Sequence, residues 1–156
     1  MKQLTIKGSP VWTSRYCNPV LADDKYIKVG ISLGDPKYEL PYKMDDKIYS
    51  LAPSRAYMRS EKQEFIAQYT QDLEAVGIDR ILERLFSLGI EGREIVLLCF
   101  EDVSKDFCHR TVLADWIYSK IGAKPLELAS PSEIKQAKIK TLWSKEQLNK
   151  IKQKGL

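Results

Sequence analysis

IVLLCF, residues 95–100, is the most apolar run of the chain, and charged residues bound it on both sides. A strand apolar on both faces belongs in the middle of a parallel sheet covered from each side, whereas a strand with one wet face alternates. Beyond an acidic and polar loop, Val112, Leu113, Trp116, Ile117 and Ile121 fall on one helical stripe that stops near Gly122. Residues 125–129 then read as the next strand. Residues 94–129 are therefore expected to form a strand, helix, strand unit, which is parallel and right-handed in nearly every case.

Upstream of this unit, Leu4 and Ile6 alternate before a break at Gly8, Ser9 and Pro10, and Val11, Trp12 and Tyr16 continue as a second extended segment. Tyr26 to Ser32 alternates too, with Ile27, Val29 and Ile31 on one side, which predicts a half-buried strand. From residue 34 to 57 the pattern dissolves into prolines and four tyrosines. Loops this long are uncommon and aromatic content argues against disorder, so an ordered excursion over the domain is expected. Two helices follow. Ser60 and Gln63 form a capping-box pattern ahead of Phe65, Ile66, Tyr69, Leu73 and Val76, with Gly77 as the stop. Asp79 is placed to cap the second, whose stripe is Ile81, Leu82, Leu85, Phe86 and Leu88.

The fold expected is α/β, a three-layer α/β sandwich with a mainly parallel central sheet. Residues 1–130 make one domain, and 131–156 a basic helical tail packed on it or extending from it, with helices at 131–142 and 145–154. The net charge of +4 belongs to that tail. Residues 133–156 carry seven Lys and two Glu, so residues 1–132 are close to neutral. A nucleic-acid-associated protein, engaging its partner electrostatically through the Lys-rich tail, is therefore a second alternative to a small-ligand site. No apolar run approaches the ~20 residues of a membrane helix, and the polar start MKQLTIKG is unlike a signal peptide. Three cysteines without an export signal point to reduced thiols and a cytoplasmic protein.

Reactive residue types gather in LLCFEDVSKDFCHR, residues 97–110. Cys99 and Glu101 lie at the carboxyl end of the central strand, where α/β sheets place their ligand crevice. Cys108, His109 and Arg110 fall at the start of the next helix. Its free amides and positive dipole end favour an anion, and Arg110 adds a fork suited to carboxylate or phosphate. The same field is expected to lower the thiol pKa of Cys108 below that of Cys99. His109 is the only histidine in the chain, so any imidazole chemistry uses it.

An apolar strand ending in Leu98-Cys99-x-Glu101, a polar loop, and Cys108-His109-Arg110 opening a helix resemble domain-of-unknown-function family 488. The likeness spans roughly residues 60–122 and extends more weakly over the early strands. It implies an α/β sandwich with its site at these residues, and it implies no reaction. The family's Arg at the end of an early strand corresponds to Arg15, although Ser14 stands where an acidic residue often precedes it.

No Cys followed after five residues by Arg is present, since that spacing lands on Lys105 and Ala114, and glycine-rich phosphate fingerprints are absent as well. Cys99, Cys108 and His109 are suitable ligand types for zinc, but the eight-residue gap without any Cys-x-x-Cys pair argues against a metal, and no cofactor is expected. The leading expectation is a site for a small anionic, nucleotide-like ligand bound by Arg110, Arg15, Cys99, Glu101, His109 and Tyr16, with Arg55 on a second wall. The alternative is a thiol enzyme with Cys108 as nucleophile and His109 or Glu101 as its base.

Overall fold

The computed structural model describes residues 2–100, 108–131 and 134. Glu101 and, apart from residues 131 and 134, both helices expected in the basic tail lie outside the described residues. In chain order the strands are β1 (Lys2–Gln3), β2 (Thr5–Ile6), β3 (Ser9–Arg15), β4 (Tyr26–Gly30), β5 (Asp46–Lys47), β6 (Glu94–Cys99), β7 (Ala123–Lys124) and β8 (Leu126–Glu127). The helices are α1 (Lys62–Val76), α2 (Ile78–Leu88) and α3 (His109–Ile121).

Strand β6 is central, as its two-sided apolarity requires. The sheet runs β2-β3-β6-β4-β5, with β8 on β3, and all of its pairs are parallel except the β2–β3 hairpin. Lys7 and Gly8, at φ 52° and 81°, form the two-residue turn of that hairpin. Register brings the carboxyl ends of the long strands level, with Arg15 beside Cys99 and Gly30 beside Leu98. The unit read from residues 94–129 is parallel, with β8 inside the strand expected at 125–129 and a further short strand, β7, ahead of Pro125. Strand β7 pairs with β1, and β8 pairs with β3.

Alternation along β6 divides the core. Ile95, Leu97 and Cys99 join Val11, Val29 and Ile31 beneath Phe65, Tyr69, Leu73, Leu85, Leu113 and Ile117 of the three helices. Val96 and Leu98 face the other way, onto Tyr16, Leu21 and Tyr26, with Trp12, Leu40, Tyr42 and Leu128 around them. Among the described residues that second face is covered by the 3₁₀ turn Pro19–Ala22 and by the excursion, so the helices occupy one face. The excursion is ordered and contains β5 and a second 3₁₀ turn, Tyr49–Leu51.

Three local expectations are corrected. Strand β4 is buried at all five positions, because Tyr42 lies over its second face with the Lys28 ammonium 5.8 Å from the ring. Ser60 does not cap α1: its amide is held by the Tyr57 carbonyl at 3.0 Å, and the helix starts one residue later behind Glu61. Asp79 lies in the first turn of α2 rather than capping it, because Gly77 at φ 87° ends α1 and begins α2. Gly122 closes α3 in the left-handed conformation, as its sequence position suggested. No helix among the described residues is long and apolar enough to cross a membrane.

Tyr16 is locked by a 2.6 Å hydrogen bond to Ser32, and a Cβ on Gly30 would stand 2.9 Å from the Tyr16 hydroxyl. Gly30→Ala is therefore expected to cost about 1–3 kcal/mol of stability through overpacking. Urea unfolding should show a lower midpoint at unchanged slope; an unaltered midpoint would mean that the ring moves freely aside.

Candidate functional site

Strand β6 delivers Cys99 as its last residue, on the helix-covered face. After the 101–107 connection the chain returns at Cys108, the N-cap of α3, in extended conformation (φ −130°, ψ 146°). Its carbonyl accepts from the amides of Thr111 at 3.0 Å and Val112 at 3.4 Å, which winds the first turn and directs His109 and Arg110 inward. Both thiols, His109 and Arg110 are buried.

Arg110 organises the cluster. Its Nε and one terminal nitrogen donate to the two carboxylate oxygens of Glu127, each at 3.0 Å. The other terminal nitrogen donates to Cys99 Sγ at 2.9 Å and to Cys108 Sγ at 3.3 Å. Glu127 is fixed in turn by the Thr13 hydroxyl at 2.9 Å, its partner across β3 and β8. Burial alone would pull the guanidinium pKa down. The Glu127 carboxylate and the two sulfurs more than offset that, and the Arg110 pKa is raised. The fork expected to face an incoming anion is thus turned onto groups of the protein itself.

His109 has a fixed tautomer. Its Nε2 lies 2.8 Å from the Ile31 carbonyl, which can only accept, so Nε2 carries a proton, and in the neutral ring Nδ1 presents a lone pair 4.0 Å from Cys108 Sγ. Tyr69 meets the ring edge-on, with centroids 5.7 Å apart, and its own hydroxyl is bound to the Leu51 carbonyl. The Cys108 thiol is pushed up, first by its hydrogen bond with Cys99 and then by burial, while His109 pulls it down. This corrects the expectation that the helix start would depress it. Two adjacent sulfurs share one proton more readily than they lose two.

The other expected residues are dispersed. Arg15 ends β3 beside Cys99. Tyr16 is buried on the opposite face of the sheet, with its hydroxyl on Ser32 and its ring 4.9 Å from Phe100. Arg55 lines a cavity of about 630 Å³ with Leu33, Ala56, Met58, Arg59 and Ser60, on the chain that leaves β4 past Ile31. Cys99, Cys108 and His109 have their ligand atoms within 4.8 Å of one another, so the fold closes the gap that the sequence spacing left open. Arg110 nevertheless puts a permanent positive charge against both sulfurs, and like charge disfavours a metal ion there. Glu127 is the site residue that sequence reading missed; its one signal is a lone acid in an otherwise apolar strand.

A family model described as the active DUF488-N3 subclade, DUF488-N3a, matches residues 22–121. No curated protein and no solved structure matches the chain.

Glu127 has 32% of its side chain exposed and Arg110 1%, so replacing the acid leaves a buried cation unpaired. Glu127→Gln should cost about 3 kcal/mol, the lower end for a broken buried pair. Chemical denaturation of the variant checks this; a loss below 1 kcal/mol would show that Arg110 finds another acceptor.

Proposed function

The chain belongs to the DUF488 family, and from that premise we propose that it is a cytoplasmic protein that binds a small anionic, nucleotide-like molecule at the carboxyl end of β6, beside a nucleophilic thiolate of the Cys99–Cys108 pair. The observation that carries this reading is the Arg110 terminal nitrogen set 2.9 Å and 3.3 Å from the two sulfurs. A guanidinium committed by its other nitrogens to a carboxylate cannot swing away, so its charge is preorganised for sulfur, and burial keeps bulk water from weakening it.

Roles follow from the distances. Cys99 takes the charge, because Arg110 is closer to it and because Cys108 is held protonated by Cys99. The nucleophile is accordingly assigned to Cys99 rather than Cys108. Cys108 is the neutral thiol that stabilises it, and His109 Nδ1 is the base within reach of the Cys108 proton. Because Arg110 is engaged, the anion falls to Arg55 and Arg59 on the cavity wall, with Arg15 at the end of β3.

Two measurements test this. Thiolate ultraviolet absorbance of the full chain should show the pair losing its first proton below the ordinary thiol value of about 8.5, and Arg110→Met should abolish that early step. Nucleoside phosphates should raise the melting temperature, with Arg55→Ala and Arg59→Ala each weakening binding about tenfold. A first ionisation at or above 8.5 would remove the thiolate, and a melting temperature unmoved by any phosphate would remove the ligand class.

A further inference from the structure

A nucleophilic Cys99 accounts for Arg110, but it leaves Cys108 and the His109 lone pair with more chemistry than a neutral hydrogen-bond donor needs. The two sulfurs lie within 4.8 Å of each other, one guanidinium nitrogen touches both, and His109 Nδ1 faces the Cys108 thiol at 4.0 Å. We propose that Cys99 and Cys108 form a reversible dithiol–disulfide couple, in which Cys99 is the thiol oxidised by a hydroperoxide and Cys108 the thiol that resolves it. The inference rests on the thiolate reading given to Cys99 above and extends it to a reaction.

The steps balance with the groups present and two named co-reactants. The Cys99 thiolate attacks the terminal oxygen of a hydroperoxide; the S–O bond forms, the O–O bond breaks, and the alkoxide or hydroxide that leaves takes a proton from solvent. Sulfur has lost two electrons and stands as a sulfenic acid. Cys108 then passes its proton to His109 Nδ1 and attacks Cys99 Sγ; the S–S bond forms, the S–O bond breaks, and the departing hydroxide recovers the proton as water. Two equivalents of a low-molecular-weight thiol reduce the disulfide by exchange and leave as their own disulfide.

The burial of the site has a bearing on what it accepts. Cys99 is fully buried and Cys108 is 1% exposed, so a reagent of two heavy atoms suits this centre better than a bulky oxidant does. The resolving thiol also needs to stay protonated until the sulfenic acid forms, because a second thiolate beside the first would repel it and lose the Arg110 contact. The neutral Cys108 beside Cys99 meets that requirement. Cys17, the remaining thiol, is exposed and takes no part.

The experiment uses the full chain carrying Cys17→Ser, reduced and then given one equivalent of hydrogen peroxide before free thiols are alkylated and the protein is digested. The expected result is loss of both remaining thiols, a peptide pair joined through Cys99 and Cys108, and full return of both thiols on treatment with glutathione. With Cys108→Ser the reaction should stop at a Cys99 sulfenic acid trapped by dimedone, and Cys99→Ser should be inert. Cys99 sulfenic or sulfinic acid beside a free Cys108 in the parent protein overturns the couple. So does a pair of thiols masked before treatment and released only by a chelator, which would make the cluster a metal centre. The parent measurement stands even where a variant fails to fold. An early thiolate titration without a disulfide defeats this inference alone; absence of the early titration defeats the reading beneath it.

Discussion

A fully buried guanidinium is the constraint around which this protein is arranged. Arg110 has 1% of its surface exposed, and removing such a charge from water is affordable only when every face of it is satisfied. Glu127 supplies two bonds and the sulfurs of Cys99 and Cys108 supply two more. Each of these partners comes from a different element: β8, the end of β6, and the cap of α3. The ion therefore fixes three pieces of chain relative to one another as well as setting the chemistry of the thiols.

The parallel sheet makes that convergence possible. Parallel strands end on the same side, and register places Ser14, Leu98 and Gly30 in one row across β3, β6 and β4, with the Arg15–Cys99 pair one residue further on. The α3 helix begins where that row ends. Thr13 and Glu127, partners across β3 and β8, bind each other and so anchor the carboxylate from the sheet rather than from a loop. The other side of the row is secured by the Ile31 carbonyl, the continuation of β4, which holds the His109 ring. The site is thus built on strand ends and a helix cap, elements that keep side chains in fixed geometry more strictly than a mobile loop does.

Much of this was legible in the sequence, and the limits have physical causes. The unbroken apolarity of residues 95–98 identified the central strand, because only burial on both faces tolerates it. The strand-end position of Cys99 and the helix start at Cys108-His109-Arg110 followed from the same run. The half-wet pattern of β4 misled because Lys28 sits under Tyr42, and long side chains can be buried along their stems. Ser60 carried a capping signal that a turn bond to Tyr57 overrode. Glu127 was hidden for a different reason. A partner across 17 positions leaves no periodic trace, and its choice depends on the pairing of β8 with β3 rather than with β6.

Counting charge within the cluster separates what the thiols do from what a ligand needs. Arg110 and Glu127 cancel, so one thiolate leaves the buried group at −1, and a second thiolate would take it to −2 in a region of low dielectric. Were Cys99 ionised as proposed, that cost would hold Cys108 protonated beside it, the same direction as the upward push on its thiol. It also means that an anionic substrate meets no net positive charge at the sulfurs. On the proposed reading its negative groups are neutralised elsewhere, by Arg55 and Arg59 on their cavity wall and by Arg15 at the end of β3. On that reading the reacting atom and the anion-holding groups are kept apart within a body that is close to neutral.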